Sequence, residues 1–129
     1  MKRLLTALAL FAALPAWAAW QFMTETDTER HYIDLSTIRA SGNMRRAWTL
    51  VDWKVPFSDG TRSIRAFIEY DCKEARSRML DSTAFTRQMG TGDPFPDNGI
   101  SQSNWKFAAP NTVGETNLQI VCGNLPPPR

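Results

Sequence analysis

The chain has 129 residues, with 15 Lys and Arg against 13 Asp and Glu, and a formal net charge of +2. Lys2 and Arg3 account for that excess, and both lie in an N-terminal segment that reads as a removable leader, so the rest is close to neutral. A neutral chain has no net field to gather nucleic acid or an anionic membrane, which excludes both as expected partners.

The leader is read in three parts. Lys2 and Arg3 form the basic start, "LLTALALFAALPA" is an uncharged apolar run, and "AWA" sets Ala16 and Ala18 at the small-residue positions of a signal-peptidase site. The apolar run is too short to span a bilayer comfortably. Cleavage after Ala18 defines residues 1–18 as a signal peptide, 19–123 as the body and 124–129, "NLPPPR", as a proline-rich tail that cannot join a helix or a central strand. About 110 residues remain, one ordinary domain with a modest core. No cysteine lies near the cleavage site to take a lipid. The mature protein is therefore expected to be exported without a transmembrane anchor, to the periplasm, the cell surface or the medium.

The body reads mostly as strands. "WQFMTE" is a short aromatic-rich strand, "TDTER" a polar turn, and "HYID" a second strand closed by "LSTIRASGN", with its Ser41-Gly42-Asn43 turn signal. "MRRAWTLVDWKV" sets Met44, Trp48 and Leu50 on one face and Ala47, Thr49, Val51 and Trp53 on the other. Both faces are partly apolar, which suits a central strand and buries one of Trp48 or Trp53. "PFSDGT" reverses the chain at Asp59-Gly60.

"RSIRAFIEYDC" alternates cleanly, with Ile64, Ala66, Ile68, Tyr70 and Cys72 on one face and Ser63, Arg65, Phe67, Glu69 and Asp71 on the other. "KEARSRMLDSTAFTRQM" tolerates helix at its start, yet Ser82, Thr83, Phe85 and Thr86 favour a strand pairing back on its predecessor. "GTGDPFPDNGISQSNW" reads as loop. In "PNTVGETNLQIVCG", Thr112 and Glu115 form a capping box, Gly123 a helix stop, and Leu118, Val121 and Cys122 share a helical face. The expected fold class is α+β: an antiparallel sheet of about five to six strands, one C-terminal helix packed on one face, and one disulfide.

That disulfide follows from count and compartment. Cys72 and Cys122 are the two cysteines, both in the exported part, and an even pair in an oxidising compartment is read first as a bridge. A closed loop of this length removes about 4 kcal/mol of unfolded-chain entropy in the loop model. A zinc site needs four ligands and a catalytic thiol needs a base, and His31 is the sole imidazole that could serve either.

Other constellations carry little chemistry. Gly90-Thr91-Gly92 lacks the lysine and third glycine of a phosphate loop. His31 near Glu29 and Asp34 has no serine nucleophile motif to serve, and reads as a surface or edge residue. Glu69, Asp71 and Glu74 beside Arg65, Arg76 and Arg78 read as cross-strand ion pairs, with an arginine binding stripe of Arg62, Arg65, Arg76 and Arg78 as the functional rival. No enzyme, cofactor or metal is expected. A tryptophan left on an open second sheet face would mark a partner or dimer surface.

Taken in order, "YID", "AWTLVDW", "RSIRAFIEYDC", "MGTGDP" and the closing Trp105, "FAAP", "GET" and "VC" resemble the surface-adhesin protein E family of proteobacteria, from about Trp20 to Cys122. The resemblance implies an antiparallel sheet with a helix, a Cys72–Cys122 bridge and a tendency to form homodimers. It also implies that the stretch from Ser63 to Cys72 contacts protein partners, host matrix proteins such as vitronectin and laminin among them. The expected binding residues are Arg62, Ser63, Arg65, Phe67, Glu69, Arg76 and Arg78. The rival reading is a periplasmic housekeeping or stress protein with a bacterial partner.

Overall fold

The computed structural model describes residues 19–96 and 102–123. The leader expected over 1–18 and the tail over 124–129 lie outside the described residues. Seven strands form one antiparallel sheet: β1 (Trp20–Glu25), β2 (Glu29–Asp34), β3 (Arg39–Ser41), β4 (Met44–Trp53), β5 (Ser63–Asp71), β6 (Arg76–Phe85) and β7 (Lys106–Phe107). Their order is β1-β2-β4-β5-β6-β7, with β3 pairing β4 beside β2. The sheet curls as a half-barrel, and one helix, α1 (Val113–Val121), packs on its inner face.

Local chemistry sets the reversals. Between β1 and β2 the Thr26 hydroxyl accepts the amides of Thr28 (3.3 Å) and Glu29 (3.1 Å). Between β4 and β5 the Asp59 carboxylate accepts the Thr61 amide at 2.9 Å, and Gly60 takes φ +89°, open to glycine at little cost. At the helix start the Thr112 hydroxyl accepts the Glu115 amide (3.3 Å), while the Glu115 carboxylate reaches back to the Asn111 amide (2.8 Å). The helix ends where the Gly123 amide donates to the Ile120 carbonyl at φ +83°.

Strand alternation places the core. Ile33, Ala47 and Tyr70 point inward and meet Leu118, Ile120 and Val121 of α1. Met23 joins them from a bulge: Phe22 pairs Tyr32 and Thr24 pairs His31, so Met23 has no opposite number and turns into the core. The bridge between Cys72 and Cys122, 50 residues apart with Cα atoms 5.8 Å apart, ties the end of α1 to the end of β5. The inward face of β5 is the one carrying Cys72, as its alternation predicts.

Three details differ from the sequence reading. His31 is neither exposed nor on an edge; it is buried, because β1 covers the other side of β2, and its Nε2 lies 2.8 Å from Glu29 Oε2. Neither Trp48 nor Trp53 is fully buried, since each face of β4 is only partly roofed. The short β3 falls in a stretch read as turn, and β7 in residues given no element; three and two residues are too few to show alternation.

Candidate binding face

The outer face of the sheet, turned away from α1, carries the residues of interest. Register fixes which of them meet. Trp48 of β4 is paired with Phe67 of β5, and their rings stack at 5.0 Å with 23° between planes. One pair further along, Arg65 lies with its guanidinium 5.5 Å from the Trp48 ring and 5.3 Å from the Phe85 ring. Arg65 is exposed, and no carboxylate among the described residues lies within ion-pair distance of it. A hollow of about 360 Å³ adjoins it, lined by Trp20, Asp34, Thr37, Trp48 and Arg65.

On the other side of Phe67 the charges neutralise one another. Glu69 is paired across the ladder with Arg46 on β4 and Arg78 on β6. Its carboxylate accepts from Arg46 Nε at 2.8 Å and Arg78 Nη2 at 2.7 Å. Burial pushes the Glu69 carboxyl upward, but the two arginine bonds and their charges outweigh it and leave the group below its ordinary range. Asp71 faces Arg76 in the same way, at 3.1 Å. The Glu74 amide, then the Arg76 side chain, holds the Asp71 carboxyl low. Arg76 and Arg78 also lie over Trp105, at 4.6 and 4.5 Å from its ring centre.

The third part of the face is roofed. The 3-10 turn Gln88–Gly90 folds over Leu50 and Phe85, close enough that a Cβ on Gly90 would stand 3.3 Å from Leu50 Cδ1. Ser63, wholly buried, donates its hydroxyl to the Arg87 carbonyl (2.6 Å) and accepts the Gly90 amide (2.9 Å). Asp52 accepts the Met89 amide at 2.7 Å. Burial raises the Asp52 carboxyl, and the Met89 bond offsets part of that rise.

The expected binding residues therefore separate. Arg65, Phe67, Glu69, Arg76 and Arg78 share the outer face. Ser63 shares it too but lies under the turn, where its hydroxyl is fully used. Arg62 precedes β5; its amide and carbonyl extend the ladder to Phe85 and Trp53, and its Nε is buried without a hydrogen-bond partner among the described residues. Arg46 and Trp105 were missed. Arg46 was readable from the strand period once β4 and β5 were registered; Trp105 comes from a loop, where no period points.

The face has hydrogen-bond donors, stacked rings and, in Arg65, a cation with no carboxylate partner among the described residues, a set suited to contact. Among the described residues no three His, Cys, Asp or Glu cluster to hold a metal, and no helix is long and apolar enough to cross a membrane. The family model for surface-adhesin protein E matches residues 20–123. No curated protein matches the chain. Among solved structures, crystal form II of Haemophilus influenzae protein E is similar, with a TM-score of 0.65 at 15% identity over 84% of this chain and 90% of that one. A protein E structure from non-typeable Haemophilus influenzae has a TM-score of 0.60 at 15% identity, over 85% of this chain and 80% of that one. At such identity the likeness to these structures is one of fold.

Proposed function

The chain belongs to the surface-adhesin protein E family, and on that footing we propose that it is an exported, non-enzymatic domain that binds a protein through the outer face of its sheet. The observation that carries the reading is Arg65, an exposed guanidinium lying over Trp48 and Phe85 with no carboxylate partner among the described residues. Rings bearing an arginine are the side chains over-represented at protein-binding hot spots. Phe67 extends the apolar floor, and Glu69, Arg76 and Arg78 form its charged margin. Arg62 and Ser63 support the strand from beneath. Matrix proteins such as vitronectin and laminin are the partners the family resemblance suggests.

A second reading has its own observation. Arg46, Arg76 and Arg78 are all paired with Glu69 or Asp71, so the margin offers little net positive charge to an acidic matrix partner. A bacterial envelope protein is then the partner, and the domain works in the periplasm.

Solid-phase binding of the mature protein to immobilised vitronectin and laminin tests the first reading. Saturable binding that falls with salt, and falls about tenfold or more in Arg65→Glu, supports it. Binding indifferent to Arg65→Glu, or none at all, refutes it. Protein sealed from surface protease in intact cells favours the periplasmic reading.

A further inference from the structure

Strand β3 has three residues, all exposed, and pairs with β4. Its register sets Arg39 directly opposite Arg46, and like charges facing one another across a ladder cost stability unless something negative lies between them. Continued across the sheet, the row reads Arg39, Arg46, Glu69, Arg78. Glu69 gives its two carboxylate oxygens to Arg46 and Arg78. Arg39 is left over, with no carboxylate within ion-pair distance among the described residues.

A hollow of about 400 Å³ lies at this corner, and Arg39, Ser41, Met44, Arg45, Arg46 and Glu69 line it. Its guanidinium groups are held in place without being neutralised. Arg39 donates through Nη1 to the carbonyls of Ser36 (2.9 Å) and Ile38 (3.1 Å). Arg45 donates through Nη1 to those of Gly42 (2.8 Å) and Met44 (2.9 Å). Arg46 is held through Nε by Glu69, at 2.8 Å. Neutral carbonyls fix Arg39 and Arg45 yet leave their charge uncompensated. The other N–H groups of all three forks have no partner among the described residues. Donors fixed in advance lose little freedom when a ligand arrives.

Three guanidinium groups around one hollow suit a negative group with several acceptor oxygens. The three terminal oxygens of a sulfate or phosphate ester can accept from Arg39 and Arg46 together and so remove their repulsion. What the hollow lacks narrows the carrier. No aromatic ring lines it, so a nucleic-acid base has nothing to stack on. None of the exposed large apolar side chains lines it either, so a bilayer gains no buried anchor there. We propose that this corner binds a sulfated polysaccharide, with Arg39, Arg45 and Arg46 taking its sulfate esters. The site is separate from Arg65 and stands whether or not that part of the face binds protein.

The test is calorimetric titration of the mature protein with a heparin-derived octasaccharide, its desulfated counterpart, and vesicles of phosphatidylglycerol. The sulfated octasaccharide is expected to saturate, with affinity falling as salt rises, and the desulfated one to give no binding. Arg39→Gln removes one charge-assisted contact and is expected to weaken binding about tenfold. Its thermal midpoint should be unchanged or raised, because the repulsion with Arg46 goes with it. Arg45→Gln, opposite Ala40 and free of that repulsion, is expected to weaken binding as well. Arg87→Gln removes the same charge elsewhere on the surface and should change affinity less than twofold. The proposal is overturned by absent binding, by binding that survives desulfation, or by a loss as large in Arg87→Gln as in Arg39→Gln and Arg45→Gln. Tighter uptake by the vesicles than by the octasaccharide overturns it too, since the carrier would then be a membrane.

Discussion

Asp52 and Glu69 are both carboxylates on the outer face and both nearly out of water, yet their environments push them in opposite directions. Glu69 has two arginines. Its folded pKa is lowered, so the stability it contributes is present above the ordinary glutamate pKa, about 4.3, and is lost as pH falls through the lower folded value. Glu69→Gln is expected to cost about 1–2 kcal/mol at pH 7 by urea denaturation, discounted because both arginines can turn to water, and to cost little once acid has protonated the wild-type group. Asp52 has one amide bond and a raised pKa, so the sign reverses: its stabilising contribution is full below the ordinary aspartate pKa and is lost as pH rises through the folded value. Asp52→Asn keeps an acceptor for the Met89 amide without the buried charge, so its stability at pH 7 should equal or exceed wild type. Asp52→Ala strands that amide and should cost about 1–3 kcal/mol. A loss as large in Asp52→Asn as in Asp52→Ala would show that the charge itself holds the turn.

At the scale of elements, α1 depends on its cap. Thr112→Ala removes the hydroxyl that accepts the Glu115 amide and should lower stability by about 1 kcal/mol, measured by chemical denaturation, with helix content falling first. The same cap made the helix legible in the sequence: a T-x-x-E pattern and a terminal glycine are local signals, and both do in the fold what they do in isolation. The long alternation of β4 and β5 was legible for the same reason, since nine or ten residues repeat a period of two often enough to expose it. What escaped was set by partners distant in sequence. His31 reads as an edge residue until β1 is known to flank β2, and Trp105 reads as loop until Arg76 and Arg78 are seen beneath it. The bulge opposite Phe67 and Ile68, where the pairing passes from Asp81 to Met79, also left no mark in composition. The candidate face was legible as alternation, Arg65 and Phe67 on one side and Cys72 on the other. Its third ring, Phe85, joined it only through the β5–β6 register.

Across the whole molecule the two sheet faces depend on the disulfide to different degrees. Arg65, Trp48, Phe67 and Phe85 are all held by strands β4 to β6, whose ladders run without help from α1. The packed inner face instead needs α1, and α1 is short, with Leu118, Ile120 and Val121 as its buried residues and Cys122 as its tether. Replacing both cysteines by alanine frees a loop of 50 residues and should lower stability by about 4 kcal/mol in the loop model. For a domain of this size that shift should appear as a fall of roughly 20 °C in the thermal midpoint. The faces should then part company. Below the new midpoint, protein binding through Arg65 should persist, whereas α1, having lost its tether, should exchange its amide hydrogens faster. The paired measurement is a solid-phase assay and amide hydrogen exchange on the same double variant. Equal loss on both faces would mean that sheet and helix fold and fail as one unit, and that the bridge is needed for the strands as much as for the helix.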